Sequence, residues 1–162
     1  MKKYNYRNCQ SLFGYSAEVH IRCKGQCQLC GCGGVPIDFD IWRQMTVEHL
    51  IGKSQGGYLK QIRELVETSF PKYSDAEKEG LSREIDAINT VTACQFCNST
   101  TSRDTNDFSM NDLFEKANGC RDSLLREIKV TCEDTLRKKK KTVQWKLESV
   151  EDAFYAHVAS KI

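Results

Sequence analysis

Apolar residues recur along this chain mostly at helical intervals, interrupted by a few short alternating stretches. Ser16 can cap a helix from Ala17 to about Lys24, with Val19 and Cys23 on one face and Gly25 at its end. From Asp38 to Val47, Phe39, Ile41, Met45 and Val47 alternate in part with polar residues, which predicts a strand ending at Glu48-His49. Gly52 and Gly56-Gly57 mark a loop. Leu59, Ile62, Leu65 and Val66 then form a helical stripe stopped by Pro71. Ser74 and Glu77 form a capping box for a second helix, buried through Leu81, Ile85 and Ile88. A short extended piece, Thr90 to Ala93, leads into a helix carrying Asn98. Beyond Asp104, Leu113, Leu124, Leu125, Ile128, Cys132 and Leu136 keep helical spacing. Val143, Trp145 and Leu147 alternate and predict a late strand, after which Ser149 opens a final helix carrying Val150, Phe154 and Val158. These elements make an α+β protein, mostly helical.

Composition narrows the class. At 40% hydrophobic and 28% charged residues, the 162-residue chain is an ordinary globular sequence. No apolar run approaches the roughly 20 residues that span a bilayer, and no apolar stretch follows the basic N-terminal residues, so a cytoplasmic protein with no membrane partner is expected. The net charge of +2 says little, but acidic residues dominate the middle and basic ones the flanks, most densely at Arg137-Lys138-Lys139-Lys140-Lys141. Nine cysteines raise the question of disulfides. An odd count and Cys-x-x-Cys spacing favour metal binding instead.

The chemistry concentrates in two Cys-x-x-Cys pairs, Cys27/Cys30 and Cys94/Cys97. Each pair sets two thiolates on one tight turn, and together they supply the four sulfurs of a closed tetrahedral zinc site. Cys23 and Cys32 crowd the first pair as competing thiols. Between the pairs stand Glu48-His49 and a Gly-rich loop, and Asn98 follows the second pair directly. The stretches Thr46-Val-Glu-His-Leu-Ile-Gly-Lys-Ser-Gln-Gly-Gly57 and Asn89-Thr-Val-Thr-Ala-Cys-Gln-Phe-Cys-Asn98, with Gln26-Cys-Gln-Leu-Cys-Gly31 before them, resemble the HNH endonuclease family, the ββα-metal nucleases. The resemblance covers roughly residues 16–103.

The resemblance implies a zinc-stabilised ββα-metal core and a role for each matching residue. His49 would be the general base, its neutral imidazole suiting physiological pH. Glu48 and Asn98 would hold one divalent cation, Mg²⁺ by ligand hardness. Asn89 would orient His49 through its amide. Cys27, Cys30, Cys94 and Cys97 would hold structural zinc. Glu48 stands where the family usually has Asp; Thr101 stands where it often has a basic residue, with Arg103 close by as a substitute. The expected layout is a nuclease core over residues 1–104, with a helical insertion at about 58–88, and a helical C-terminal extension over 105–162, outside the resemblance, as a candidate DNA-contacting or dimerisation region. Lys53, Arg103, Lys138, Lys139, Lys140 and Lys141 are candidate nucleic-acid contacts. A single site cuts one strand, so double-strand cleavage would call for a homodimer. The activity implied is hydrolysis of DNA phosphodiesters, in a restriction, mobile-element or defence setting. A different class of function keeps the four cysteines and dispenses with the rest: a non-catalytic zinc-ribbon module that binds nucleic acid. A redox dithiol is the third reading, and stoichiometric zinc would exclude it.

Overall fold

The computed structural model describes residues 17–101 and 106–162. A short helix α1 (Ala17–Arg22) leads through Lys24 and Gly25, both at positive φ, into the first cysteine turn. A single helical turn, α2 (Phe39–Trp42), precedes β1 (Met45–His49). A loop containing a 3-10 turn (Lys53–Gln55) follows, then the helix pair α3 (Leu59–Ser69) and α4 (Asp75–Asn89). The chain returns as β2 (Thr90–Cys94), turns directly into α5 (Gln95–Thr100), and finishes with α6 (Met110–Ala117) and the long α7 (Arg121–His157).

The two strands form one antiparallel sheet in which Met45 faces Cys94 and His49 faces Thr90. α3 and α4 fill the connection between them as an antiparallel hairpin, tied outside by an Arg63–Glu79 ion pair. The capping box at α4 is present: Glu77 N–H donates to Ser74 Oγ at 3.2 Å, and Ser74 N–H donates to the Glu77 carboxylate at 2.7 Å. Ile62, Val66, Leu81 and Ile85 pack with Leu113, Phe114, Leu124 and Ile128 into the larger apolar core. A smaller cluster surrounds the cysteines, built from Cys27, Leu29, Met45, Ala93, Cys97 and Val143. The architecture is thus a mostly helical α+β fold around a two-stranded sheet.

Three expectations are corrected. The strand expected from Asp38 starts only at Met45, because Asp38 caps the α2 turn by accepting from Ile41 N–H at 2.9 Å. Phe39 and Ile41, on that turn, are exposed. The late strand through Val143, Trp145 and Leu147 does not exist, and no separate helix starts at Ser149; both stretches belong to α7. Leu124, Ile128, Cys132, Thr135, Lys139 and Val143 form its buried stripe. Steps of three and four residues are a helix signature, and the straight-chain lysines between them favour helix. The basic run therefore lies within a helix. Past Leu147 every residue of the chain is exposed.

Candidate metal centre and the adjoining cavity

The first cysteine turn is knotted by its own backbone. Gly31 N–H donates to Cys27 O at 2.9 Å, Cys27 N–H donates to Cys32 O at 2.9 Å, and Cys30 N–H points at Cys27 Sγ at 3.5 Å. Gln28 N–H donates to Thr92 O, which docks the turn on β2. There the sulfurs of Cys27, Cys30, Cys32 and Cys94 all lie within 4.8 Å of one another. A tetrahedral zinc–thiolate site with bonds of about 2.3 Å has sulfur–sulfur edges of about 3.8 Å. Cys30 Sγ and Cys94 Sγ are 3.8 Å apart, so the donor set fits zinc.

The membership differs from the expectation. Cys97 was to be the fourth ligand, and the group contains Cys32 in its place. Cys32 follows the Gly31 turn, which swings its thiol back toward the pair, a geometry that motif spacing alone does not reveal. Cys97 is fully buried and its thiol interacts with those of Cys94 and Cys30, so five thiols crowd a four-coordinate centre. Crowding is visible in their acidity. A hydrogen bond from Cys94 draws Cys27 down to about 4, and the same interaction pushes Cys94 up. Burial raises Cys97, and raises Cys32 to about 11. Thiols packed this closely compete for one another's protons, and a bound cation would relieve that crowding.

Beside this centre opens a cavity of about 660 Å³ whose lining includes Glu48, His49, Lys53, Tyr58 and Asn98. β1 brings in Glu48 and His49, and α5 brings in Asn98. The Asn98 amide nitrogen donates to Thr46 Oγ1 at 2.8 Å, leaving its carbonyl oxygen available to a ligand. His49 is 8% exposed, and its ring stacks tilted on Tyr58 with centroids 4.4 Å apart. Burial lowers its pKa from 6.5 to about 4, so the imidazole is neutral at physiological pH. Lys53 Nζ lies 5.8 Å from the Tyr58 ring centroid, at the same wall.

Asn89 was expected to orient His49 directly. Its amide is committed elsewhere: Nδ2 donates to Ile51 O at 3.0 Å and Gly57 O at 2.9 Å, and Oδ1 accepts from Ile51 N–H at 2.7 Å. It shapes the loop that leaves His49. Gly57 belongs to the same clamp, since a Cβ there would stand 1.6 Å from Ile51 O. Cys132 on α7 completes it by donating to Asn89 Oδ1 at 3.5 Å.

Glu48 and Asn98 offer oxygen donors of the class that Mg²⁺ takes, at one wall of the cavity. One of them is already engaged, because Lys139 Nζ lies 2.6 Å from Glu48 Oε1 with both side chains buried. Lys139 was expected on the surface as a nucleic-acid contact, and it is not there. Arg137, Lys138, Lys140 and Lys141 are exposed, while Lys139 points inward because it falls on the buried stripe of α7. Arg103 lies outside the described residues. Spacing does signal Lys139: it stands four residues from both Thr135 and Val143. No comparable signal marks Tyr58.

Among the described residues, no helix is long and apolar enough to cross a membrane. Compared with known proteins, the chain matches no protein-family model, no curated protein and no solved structure.

Proposed function

We propose that this chain is a zinc-stabilised nucleic-acid-binding protein. The observation that carries this reading is the thiol group Cys27, Cys30, Cys32 and Cys94 clamping the first turn to β2. A two-stranded sheet is too small to hold itself together, and a metal tie supplies what apolar burial does not. Exposed Lys138, Lys140 and Lys141 on α7 and Lys53 at the cavity wall offer a phosphate backbone its counter-charges. This reading requires no chemistry at His49.

A finer reading is an HNH-type endonuclease, and one specific observation favours it: His49, Glu48 and Asn98 line a single cavity large enough for a phosphodiester. In that reading a ring nitrogen of His49 takes a proton from water. The resulting hydroxide oxygen bonds to phosphorus, the P–O3′ bond breaks, and the 3′ oxygen takes a proton from solvent. Burial keeps His49 unprotonated, and the negative charge of an approaching phosphate shifts its pKa back toward the working range. Asn89 holds the loop that follows His49, so the ring keeps its place at the end of β1. Glu48 and Asn98 are the proposed oxygen ligands of a divalent cation, which when bound would stabilise charge on the phosphate and the departing oxygen.

The experiment that separates the readings is incubation of zinc-loaded protein with supercoiled plasmid, with Mg²⁺ or with chelator, for wild type and His49→Ala. Cleavage by wild type alone supports the nuclease. Binding by both without cleavage leaves the non-catalytic module.

A further inference from the structure

Lys139 and Glu48 are 91 residues apart in sequence, yet their side chains meet at 2.6 Å, exposed by only 2% and 6%. Stripping water from two charges is costly, and a lysine on the solvent face of α7 would avoid the cost entirely. Glu48 lines the cavity; Lys139 is not among the lining residues and reaches the carboxylate from the α7 side. Asn98, the other proposed oxygen donor, is neutral. Among the described residues, the only group of three or more His, Cys, Asp or Glu side chains arranged to hold a metal is the thiol group. The cavity wall therefore presents a carboxylate whose charge is already cancelled.

We propose that Lys139 is a positioning residue of the candidate nuclease site, holding the Glu48 carboxylate at the cavity wall and competing with a divalent cation for it. The inference rests on the nuclease reading above and adds a condition to it. A cation arriving at Glu48 meets the Lys139 ammonium in a buried, weakly screened setting, where like charges repel strongly. Among the described residues lining the cavity, Glu48 is the one carboxylate, and its charge is shared with Lys139. A nucleic-acid phosphate entering the cavity adds both an oxygen ligand and a negative charge. The cation then binds firmly only with substrate in place, and the C-terminal helix, through Lys139, sets that order.

The test uses zinc-loaded full-length chain and Mn²⁺, with free Mn²⁺ counted by electron paramagnetic resonance at pH 8. Lys139→Met keeps the length of the side chain and removes the charge; zinc content and circular dichroism establish that it folds. It should bind Mn²⁺ at least about tenfold more tightly than wild type without DNA. Glu48→Gln should abolish that binding in either background. Equal or weaker binding by Lys139→Met, or tight binding that survives Glu48→Gln, overturns the proposal. Should Lys139→Met not fold, His49→Ala carries the test with Lys139 intact: a short duplex should tighten Mn²⁺ by at least about tenfold, and no change overturns the proposal. Plasmid cleavage is scored separately. Uncut plasmid with the Mn²⁺ results as expected removes the nuclease reading alone, and cut plasmid with an unimproved Lys139→Met removes this inference alone.

Discussion

The Asn89 amide donates to the carbonyl of Gly57 at 2.9 Å and thereby closes the loop between β1 and α3 from the far end of α4. Asn89 is fully buried, and its remaining polar positions go to Ile51 and Cys132. Asn89→Ala strands the backbone groups of Ile51 and Gly57 without partners. The expected cost is about 3 kcal/mol or more, at about 1–3 kcal/mol per stranded group, read as a drop in denaturant midpoint. Asn89→Asp should recover part of it, since Oδ1 still accepts from Ile51 N–H. Wild-type stability in Asn89→Ala would show that the clamp does not matter.

Zinc removal should unfold the sheet region. Purified protein should carry about one zinc per chain, and Cys94→Ser should lose metal together with helix signal, given the roughly 10–16 kcal/mol that structural zinc contributes in small zinc domains. A metal-free chain with an unchanged circular dichroism spectrum would contradict this.

Because five thiols crowd four positions, the single variants Cys32→Ser and Cys97→Ser should each retain one zinc, each with weaker affinity than wild type. The double variant should lose it. A chromophoric chelator titration reads all three. If one single variant alone abolishes zinc, that cysteine is the sole fourth ligand and the redundancy is absent.

His49→Ala should fold, keep zinc and bind DNA, and should cleave at least about 100-fold more slowly. Stability carries a second signature of the same residue. His49 titrates at about 4 when folded and at 6.5 in its ordinary state, so between these values the unfolded chain binds the extra proton. Its contribution to stability is complete above about pH 6.5 and is lost as pH falls toward about 4. His49→Gln should flatten that part of the thermal-melt profile against pH, and an identical profile would refute the buried neutral ring.

Changing Lys138, Lys140 and Lys141 to Gln should weaken DNA binding for all sequences alike. The log–log salt dependence should flatten by about 0.9 for each duplex phosphate that a lysine no longer neutralises. Lys139 is left out deliberately, because its partner is Glu48. An unaltered slope would make the exposed lysines an ordinary solvated helix face.

Local chemistry was legible wherever a residue's role depends on its sequence neighbours. The Ser74–Glu77 box, the α3 and α4 stripes and the short strand before Cys94 all follow from spacing of three, four or two. Glu48, His49 and Asn98 stand in motif order along the sequence, and all three line one cavity. What failed depends on distant partners or on windows too short to decide. Three alternating residues, Val143, Trp145 and Leu147, mimic a strand, whereas the six-membered stripe from Leu124 to Val143 gives the helix. Cys32 joins the thiol group because a glycine turn redirects it. Lys139 reads as surface charge when the basic run is taken by itself, and only its four-residue steps to Thr135 and Val143 place it on the buried stripe.

The two-stranded sheet joins His49 to Thr90 across the whole α3–α4 segment. Pairing of that kind is slow to nucleate, because a long stretch of chain must be ordered before the first ladder bond forms, whereas the α3–α4 hairpin closes over a few residues. The order of assembly expected from loop length is that the hairpin collapses first and brings Asn89 round, that β2 then finds β1, and that Cys94 arrives opposite Cys27 and Cys30 only at that point. Metal capture is therefore a late event in folding. Refolding with chelator present should yield a chain that quickly gains only the part of the helix signal owed to the hairpin and stalls, short of the native spectrum, before the sheet registers.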